Sequence, residues 1–484
     1  MNHDRRSLLK CAGLASLIGA APRLAWAVDA VTDQRADHTL HIGTGLVELA
    51  PKHIVSTTLY NGQFPGPLLR FREGQRAVVD IYNDTDVPEL VHWHGQMLPS
   101  DVDGAAEEGS PYVPAHGMRR IAFVPEPSGF RFYHSHVTAG GDLNRGTYTG
   151  QAGAVYIEPK LNPGAYDHEV FLVLKEFGPA FSRGGDMAMD VLAGAPLSSL
   201  KEQGLAADEE TAEKTKGFEV GYELFGINGR MLRHGEPIRV RHGERVLFHV
   251  LNASATETRS LALPGHAFHV VALDGNPVPT PGNVPVLWLG TAERVSAIVA
   301  MNHPGVWVMG DLADDDRRHG MGIVVEYAGR KGNPQWAQPR PFHWDYTRFG
   351  KAGATAAAPD ETIEMTVVKH NAALNGFNQW TLNGEAFSMA SMKSRYTLIQ
   401  GRRYRLKLRN ASDDLHPLNL HRHSFEISRI AGKPTAGVIK DVVMLGGFQE
   451  VEVDFVADNP GPTLFHCHQQ LHMDFGFMAL FDYT

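Results

Sequence analysis

The chain has 484 residues, of which 43% are hydrophobic and 20% are charged, so it is long enough for about three domains with sizeable cores. Its formal net charge of −9 and the lack of a basic block argue against non-specific nucleic-acid binding. The 50 glycines and 29 prolines predict frequent turns, which favours an all-β chain of many short strands.

Residues 1–27 have the pattern of a twin-arginine export signal. Arg5 and Arg6 precede a short apolar stretch, and Ala25-Trp26-Ala27 forms an A-x-A cleavage site. The alternative is an ordinary buried N-terminal helix. Neither this stretch nor any later one is long enough for a membrane span. We therefore expect the twin-arginine machinery to export the folded protein to the periplasm or beyond, as a monomer.

One pattern occurs three times along the chain. Each copy has a Gly and then an Asn nine residues later, joined by an alternating apolar run, and an Asn-Gly pair precedes each copy. The alternation predicts a half-buried strand, and the repetition predicts three β-sandwich domains at 38–160, 161–335 and 340–484, called the first, second and third domains below. The copies are Phe71–Thr85, Val240–Ser254 and Leu398–Ser412.

Histidine pairs mark the first domain. They are "HWHG" at His92–Gly95 and "YHSH" at Tyr133–His136. In an H-x-H strand both imidazoles lie on one face and the middle residue on the other, so two ligands reach the same metal cluster.

The second domain has no such pairs, because Gly310 and Leu312 occupy the places of the histidines. We therefore expect it to be a spacer without copper motifs. Its segment 182–217 has little strand character and is predicted to be a long loop with some helix.

The third domain carries "HPLNLHRH" at His416–His423 and "HCHQQLH" at His466–His472. Cys11 falls in the signal, so Cys467 is the single thiol of the mature chain. One thiolate with two imidazoles is the ligand set of a blue-copper centre, and the candidate imidazoles belong to His416 and His472. Zinc could use the same ligands, but a structural zinc site does not need the adjacent histidine array.

The order of these four motifs resembles the multicopper oxidase family, the laccase-like oxidases of three cupredoxin domains. The resemblance covers the whole mature chain and implies an all-β fold of three cupredoxin-like Greek-key sandwiches or barrels. It also implies a type 1 copper that takes electrons from a donor and a trinuclear cluster that reduces dioxygen to water. The implied ligands are His416, Cys467 and His472 for type 1, His94, His134 and His468 for one type 3 copper, His136, His421 and His466 for the other, and His92 with position 419 for type 2.

Position 419 departs from the family, because it is Asn419 instead of histidine. The internal repeat reaches the same position: His92 stands nine residues after Asn83, and Asn419 stands nine residues after Asn410. An amide oxygen is a poorer copper ligand than a neutral imidazole, so we expect the type 2 copper to be weakly held or absent. The alternative is that Asn419 and water together still support binding.

The axial position of the type 1 site is the second departure. The family often has Met five residues after the last histidine, where this chain has Phe477 followed by Met478. Adjacent strand residues face opposite ways, so Met478 should point away from the copper unless a bulge turns it inward. An apolar Phe477 should raise the reduction potential and favour phenols and aromatic amines as donors.

Asp103, nine residues after His94, agrees with the family. In many bacterial members the aspartate of V-D-G supports proton delivery to the cluster, which is the role implied here; the alternative is a turn-forming Asp before Gly. In some members of the family a second acid directly follows the last type 1 histidine. Here that position is Met473, and Asp474 lies one residue further along, so the role of that acid is not assigned to it. We expect Asp101, Glu107 and Glu108 to form a solvated loop and His423 to have a structural role.

The sequence therefore predicts a laccase-like copper oxidase acting on small aromatic donors and dioxygen. One alternative is a cuprous-ion oxidase in copper resistance, which is disfavoured because the methionines form only sparse pairs, Met187 with Met189 and Met389 with Met392. The other is a copper-depleted scaffold that is not an enzyme, which is disfavoured because every other ligand position is filled.

Overall fold

Short strands dominate the fold, which confirms the all-β prediction. The structure, a computed structural model, describes residues 35–159, 165–182, 217–391 and 395–484. These residues form 32 strands and only three short α-helices. The signal predicted at 1–27 and nearly all of the loop predicted at 182–217 lie outside the described residues.

The first domain contains a four-stranded sheet in the order β2-β1-β4-β5 and a three-stranded sheet in the order β3-β7-β6. Apolar residues from both sheets share one core, including Val79 and Ile121 from the first sheet and Phe71 and Val155 from the second. The elements are β1 His38–Ala50, β2 His53–Tyr60, β3 Gly66–Arg72, β4 Ala77–Asn83, α1 Ser100–Asp103, β5 Gly117–Phe123, β6 Gly129–His134 and β7 Ala152–Glu158.

The second domain contains a six-stranded sheet, β11-β8-β13-β18-β15-β16, a five-stranded sheet, β12-β20-β19-β14-β17, and the ribbon β9-β10. Its elements are β8 His168–Phe177, β9 Ala180–Ser182, β10 Glu219–Gly221, β11 Leu224–Ile227, β12 Ile238–Val240, β13 Arg245–Asn252, β14 Arg259–Ala262, β15 Phe268–Leu273, β16 Asn276–Val284, β17 Val286–Leu289, β18 Arg294–Ala300, β19 Val306–Gly310, α2 Asp314–Arg318 and β20 Gly322–Tyr327.

The third domain contains one sheet in the order β22-β21-β24-β30-β26-β27, with β28 also paired to β26, and a second sheet in the order β23-β32-β31-β25-β29. Its elements are β21 Glu361–Leu374, β22 Phe377–Leu382, β23 Arg395–Leu398, β24 Arg403–Asn410, β25 His416–Leu420, β26 Phe425–Ile430, β27 Lys433–Pro434, β28 Ile439–Lys440, β29 Val442–Leu445, β30 Glu450–Val456, β31 Thr463–Cys467, α3 Gln470–Asp474 and β32 Met478–Tyr483.

The repeated sequence pattern corresponds to a repeated piece of structure. Its strand is β4, β13 or β24, and in each domain it lies parallel to the first strand of the domain and antiparallel to a later one. The asparagine at the end of each strand accepts a hydrogen bond from the backbone two residues later and donates to carbonyl groups of nearby loops. The repeat therefore fixes how each strand end meets its loop.

The predicted Asn-Gly turns are also confirmed. Asn61, Asn228 and Asn383 have φ of 53°, 52° and 52°, and the glycine after each also has positive φ. Two consecutive residues of positive φ characterise the type I′ turn, which Asn-Gly favours and which joins antiparallel strands tightly. No helix in the described ranges has the length and apolarity needed to cross a membrane.

Candidate metal centre

The side chains of the first H-x-H motif alternate between two faces, as the strand pattern predicts. Trp93, between His92 and His94, is fully buried in the first-domain core, where its ring packs near Phe123 and Tyr133. The two imidazoles face the other way, and a backbone bridge pairs His92 with His134 of the second motif. The two histidine motifs of the first domain therefore lie side by side.

Cys467 and two imidazoles form the first buried cluster. Nδ1 of His416 and Nδ1 of His472 lie 3.0 Å apart, and Cys467 Sγ lies 3.7 Å and 3.4 Å from them. The His416 Nε2–H donates to Ser412 Oγ, which leaves Nδ1 free for a metal. Strand β31 positions Cys467, β25 positions His416, and α3 positions His472.

Eight buried histidine or asparagine side chains form the second cluster, between the first and third domains. His134 Nε2 lies 3.4 Å from His94 Nδ1 and 3.3 Å from His468 Nε2. His421 Nε2 lies 3.0 Å from His466 Nε2. The structure thus brings together every predicted ligand of this cluster: His92, His94, His134, His136, Asn419, His421, His466 and His468.

Burial keeps eight of the cluster imidazoles neutral. It lowers the pKa of His416 to about 4 and of His466 to about 3, and it holds the pKa values of His94, His134, His136, His421, His468 and His472 well below the ordinary value. A neutral imidazole is the form that binds metal, so these eight histidines are in the protonation state that copper needs. Burial also raises the pKa of the Cys467 thiol well above its ordinary value, so the thiol would have to lose its proton when copper binds.

Several buried nitrogen atoms in the second cluster have no hydrogen-bond partner within the described ranges. They are both ring nitrogens of His136, Nε2 of His92 and Nδ1 of His468. Buried polar atoms are nearly always satisfied, so atoms left open in this way point to a missing ligand. Imidazole groups converging from two domains, with open nitrogens, fit a copper cluster.

Asn419 lies inside this cluster. It is buried and pairs in register with His466, and its amide nitrogen lies 3.4 Å from Nε2 of His466. Its side chain therefore occupies a ligand place with an amide in place of an imidazole. Whether copper is weakened there remains a prediction.

Asp103 links two cluster histidines from different domains. Its Oδ2 lies 3.0 Å from Nδ1 of His92 and 2.9 Å from Nδ1 of His421, and the rings of these histidines stack at 4.0 Å. Burial acts to raise the pKa of the Asp103 carboxyl, but His92 and Arg422 outweigh it and hold the pKa below the ordinary value. The His421 Nδ1–H donates to Asp103 Oδ2, whereas the His92 Nδ1–H donates to the backbone carbonyl of Asp103 at 2.9 Å, so both Nε2 atoms are left for metal.

Glu108 does not lie in a solvated loop, which corrects the prediction for that residue. It is buried, its Oε1 accepts from the backbone N–H of Leu464 at 2.6 Å, and Oε1 lies 3.5 Å from Nδ1 of His421. Burial and the nearby charge of Asp103 raise its pKa well above the ordinary value. Glu107 is half-buried, whereas Asp101 is exposed as predicted. Sequence reasoning missed Glu108, because nothing local reveals that its turn packs against β31.

Gly104 lets Asp103 approach the cluster. It has φ of +97°, and a Cβ there would lie 2.0 Å from the carbonyl oxygen of Val91. Gly109 has a similar φ of +90° but no atom within 4 Å of its Cβ position. The glycine of V-D-G is therefore required by close backbone contact as well as by its φ.

We expect Gly104→Ala to destabilise the fold by about 2–4 kcal/mol, since it adds a steric clash to left-handed strain. Gly109→Ala, the matched control, should cost about 1–2 kcal/mol, because it adds the strain alone. Thermal unfolding midpoints of the two variants would measure the difference. Equal shifts would contradict the clash.

Phe477 is fully buried beside the first cluster, and its ring lies 4.9 Å from that of His416. Met478 pairs in register with His466 on the neighbouring strand and packs with Leu464, Met473 and Leu480. Met478 therefore lies on the face opposite to Cys467.

Two further polar residues lie next to cluster residues. His423 donates from Nδ1 to the His421 carbonyl, and its Nε2 accepts from the Tyr483 hydroxyl at 2.6 Å, a structural arrangement. Asp474 accepts from the N–H groups of Ala139 and Gly140 and so ties α3 to the first domain. Burial raises the pKa of Asp474 to about 7.

Sequence reasoning also missed Trp380 and Asp414. The Trp380 ring lies 3.9 Å from the ring of His472, and its indole N–H donates to Asp414 Oδ2. A buried Trp in β22 carries no local signal of this contact, because it arises only when β22 meets α3.

Three family models described as "Multicopper oxidase" match residues 42–162, 201–325 and 355–484, together more than three quarters of the chain. "Multicopper oxidase MmcO" of Mycobacterium tuberculosis is 28% identical over 492 residues, which cover 99% of this chain and 94% of the relative. "Laccase-3" of Thanatephorus cucumeris is 22% identical over 554 residues, which cover 94% of this chain and 92% of the relative.

Solved structures share the fold. The multi-copper oxidase from Pseudomonas thermotolerans has a TM-score of 0.68 at 24% identity and covers 93% of this chain and 100% of its own. Fet3p, "a Multicopper Oxidase that Functions in Iron Import", has a TM-score of 0.74 at 17% identity and covers 92% of this chain and 90% of its own. The chain, with three cupredoxin domains and buried clusters suited to copper, belongs to the multicopper oxidase family and is a copper-binding oxidoreductase that uses dioxygen.

Proposed function

We propose that this protein is a laccase-like oxidase of small phenols and aromatic amines. The observation that carries the proposal is the placement of Cys467. Its sulfur belongs to the first cluster, while the adjacent His466 and His468 belong to the second. A covalent path of a few bonds thus joins the place where a donor gives up an electron to the place where dioxygen accepts one.

Copper fits the second cluster, as its open nitrogen atoms indicate, and it fits the first cluster, where one sulfur and two imidazole nitrogens converge. Bound copper supplies one-electron oxidation of the donor at the first cluster and reduction of dioxygen to water at the second. The residues that would hold it are His416, Cys467 and His472 for type 1, His94, His134 and His468 with His136, His421 and His466 for the type 3 pair, and His92 with Asn419 for type 2.

The residues around the second cluster would exclude bulk water and supply protons. Reduction of dioxygen to water consumes protons, and Asp103, between His92 and His421, is the carboxyl group placed to pass them. Asn419 is expected to weaken the type 2 site, because its amide replaces an imidazole.

Phe477 supports the choice of donor. A Phe side chain offers no ligand atom, so copper held by His416, Cys467 and His472 would have no thioether sulfur from position 477 to stabilise Cu(II), and its reduction potential would be high. We expect Phe477→Met to lower the type 1 potential and slow the oxidation of phenols of high potential, as redox titration would measure. Phe481→Met, at a buried position of β32 where the ring packs against Tyr396 and Phe455, is the control. An unchanged potential in Phe477→Met would contradict the axial assignment.

Oxygen uptake by the copper-loaded protein tests the function. We expect uptake with a phenol or aromatic amine and much less with cuprous ion. Faster uptake with cuprous ion would favour a cuprous-ion oxidase, and no uptake with any donor would favour a copper-depleted scaffold.

Export by the twin-arginine route to the periplasm is part of the proposal, and cell fractionation with and without residues 1–27 tests it.

A further inference from the structure

A buried carboxylate outside every predicted motif contacts the second cluster. Asp441 lies between β28 and β29, and its Oδ1 is 3.1 Å from Nε2 of His94, which stands 347 residues earlier in the chain. Arg294 grips both carboxylate oxygens at 2.6 Å, and Arg131 Nη1 lies 3.3 Å from Oδ2. Arg131, Arg294 and Asp441 come from the first, second and third domains respectively.

This contact decides which nitrogen of His94 faces the cluster. A carboxylate only accepts hydrogen bonds, so the Nε2–H of His94 donates to Asp441 and Nδ1 is left open. That Nδ1 is the atom 3.4 Å from Nε2 of His134. His134 and His466 are arranged the opposite way, since each donates from Nδ1 to a backbone carbonyl and leaves Nε2 open. His94 therefore depends on Asp441 for its tautomer.

Gly95 gives an independent sign that the motif is built around this ion pair. It has φ of +79°, and a Cβ there would lie 2.6 Å from Nη2 of Arg294 and 2.7 Å from Oδ2 of Asp441. Any side chain at the glycine of "HWHG" would displace the two groups that hold His94. The close approach is therefore part of the histidine motif itself.

Asp274 also holds the backbone of both members of this ion pair. The backbone N–H of Asp441 donates to Asp274 Oδ2 at 3.3 Å, and Asp274 Oδ1 accepts from the backbone N–H of Arg294 at 2.9 Å. A bidentate arginine–carboxylate pair is strong and holds one geometry, particularly when both groups are buried. The second domain, expected to be a spacer, thus provides Arg294 and Asp274, which hold the carboxylate that contacts the cluster ligand His94.

We propose that Arg294 and Asp441 are positioning residues for the type 3 copper at His94, so that the second domain tunes the cluster without providing a ligand. The inference rests on the proposed copper sites, although it does not depend on the donor. Outer partners of metal-bound histidines typically contribute 10–100-fold to metal affinity. Arg294 should act through Asp441, because its guanidinium binds both carboxylate oxygens.

The test compares copper-loaded Asp441→Asn and Arg294→Lys with the unaltered protein. Copper per chain and the paramagnetic spectrum are measured across a chelator series. We expect Asp441→Asn to release cluster copper at a 10–100-fold lower chelator concentration while it keeps the type 1 signal. Arg294→Lys keeps the charge but loses the bidentate contact with Asp441. It should therefore release cluster copper at a chelator concentration between those of Asp441→Asn and the unaltered protein. The control is Asp454→Asn. Asp454 is also a buried carboxylate bound by an arginine, since Arg405 donates to its two oxygens at 2.7 Å and 3.0 Å, but it contacts none of the candidate copper ligands.

Three outcomes would overturn the inference. They are unchanged chelator resistance in Asp441→Asn, joint loss of type 1 and cluster copper, and the same selective loss in Asp454→Asn. If Asp441→Asn does not fold, Arg294→Lys decides by the same criteria. The copper-release test uses no electron donor, so its result does not depend on oxygen uptake. Absence of oxygen uptake in the unaltered protein would contradict the proposed function, whereas the copper-release result would still decide the role of Arg294 and Asp441.

Discussion

Asn419→His is expected to raise oxygen uptake by at least about tenfold and to bring cluster copper to full occupancy. The side chain at 419 is buried within the cluster beside His466, so an imidazole there adds a nitrogen ligand where an amide now stands. Since position 419 is the repeat counterpart of His92, the new histidine would give the type 2 site its second imidazole. Copper content and oxygen uptake would be measured on both proteins.

Asn419→Gln is the control, because it keeps an amide and changes only the length of the side chain. It should show no gain in copper or uptake. If Asn419→His leaves both quantities unchanged and its thermal midpoint shows an intact fold, an amide suffices at this site and the predicted weakening is wrong.

Asp103→Asn is expected to slow reoxidation of the reduced protein by dioxygen by about 100-fold. An amide cannot exchange a proton as a carboxyl does, and its single oxygen carries no charge to hold the Nδ1–H of His421. Reduction of the type 1 site by donor without oxygen should change little, because Cys467 lies in the other cluster. Stopped-flow absorbance would separate the two half-reactions.

Asp101→Asn provides the control for this prediction, since Asp101 is exposed and lies two residues away. It should leave both half-reactions unchanged. Equal slowing of reduction and reoxidation in Asp103→Asn would indicate a general structural defect, and no slowing at all would remove Asp103 from proton delivery.

Local patterns sufficed for much of the fold and the ligand set. Strand alternation places His92 and His94 on one face and Trp93 on the other, and this depends only on neighbouring residues. The same holds for Cys467 between His466 and His468. The Asn-Gly turns and the asparagine ending each repeated strand are equally local, since they follow from backbone conformations that few residues adopt.

The residues that contact the ligand histidines could not be predicted, because their roles arise from contacts between distant parts of the chain. Asp441 meets His94 only once three domains have packed together. Glu108 is buried because its turn lies against Leu464, although its own neighbours in sequence are acidic and polar. An acidic run is usually solvated, so local composition pointed the wrong way for Glu108.

Copper counting combined with paramagnetic resonance on the unaltered, copper-loaded protein distinguishes a weakened type 2 site from a complete one. We expect one type 1 copper per chain, held by His416, Cys467 and His472, together with a type 2 signal well below one per chain because Asn419 occupies the position of a histidine. A type 2 signal at full stoichiometry would contradict the weakened site, and the absence of a type 1 signal would contradict the copper assignment itself.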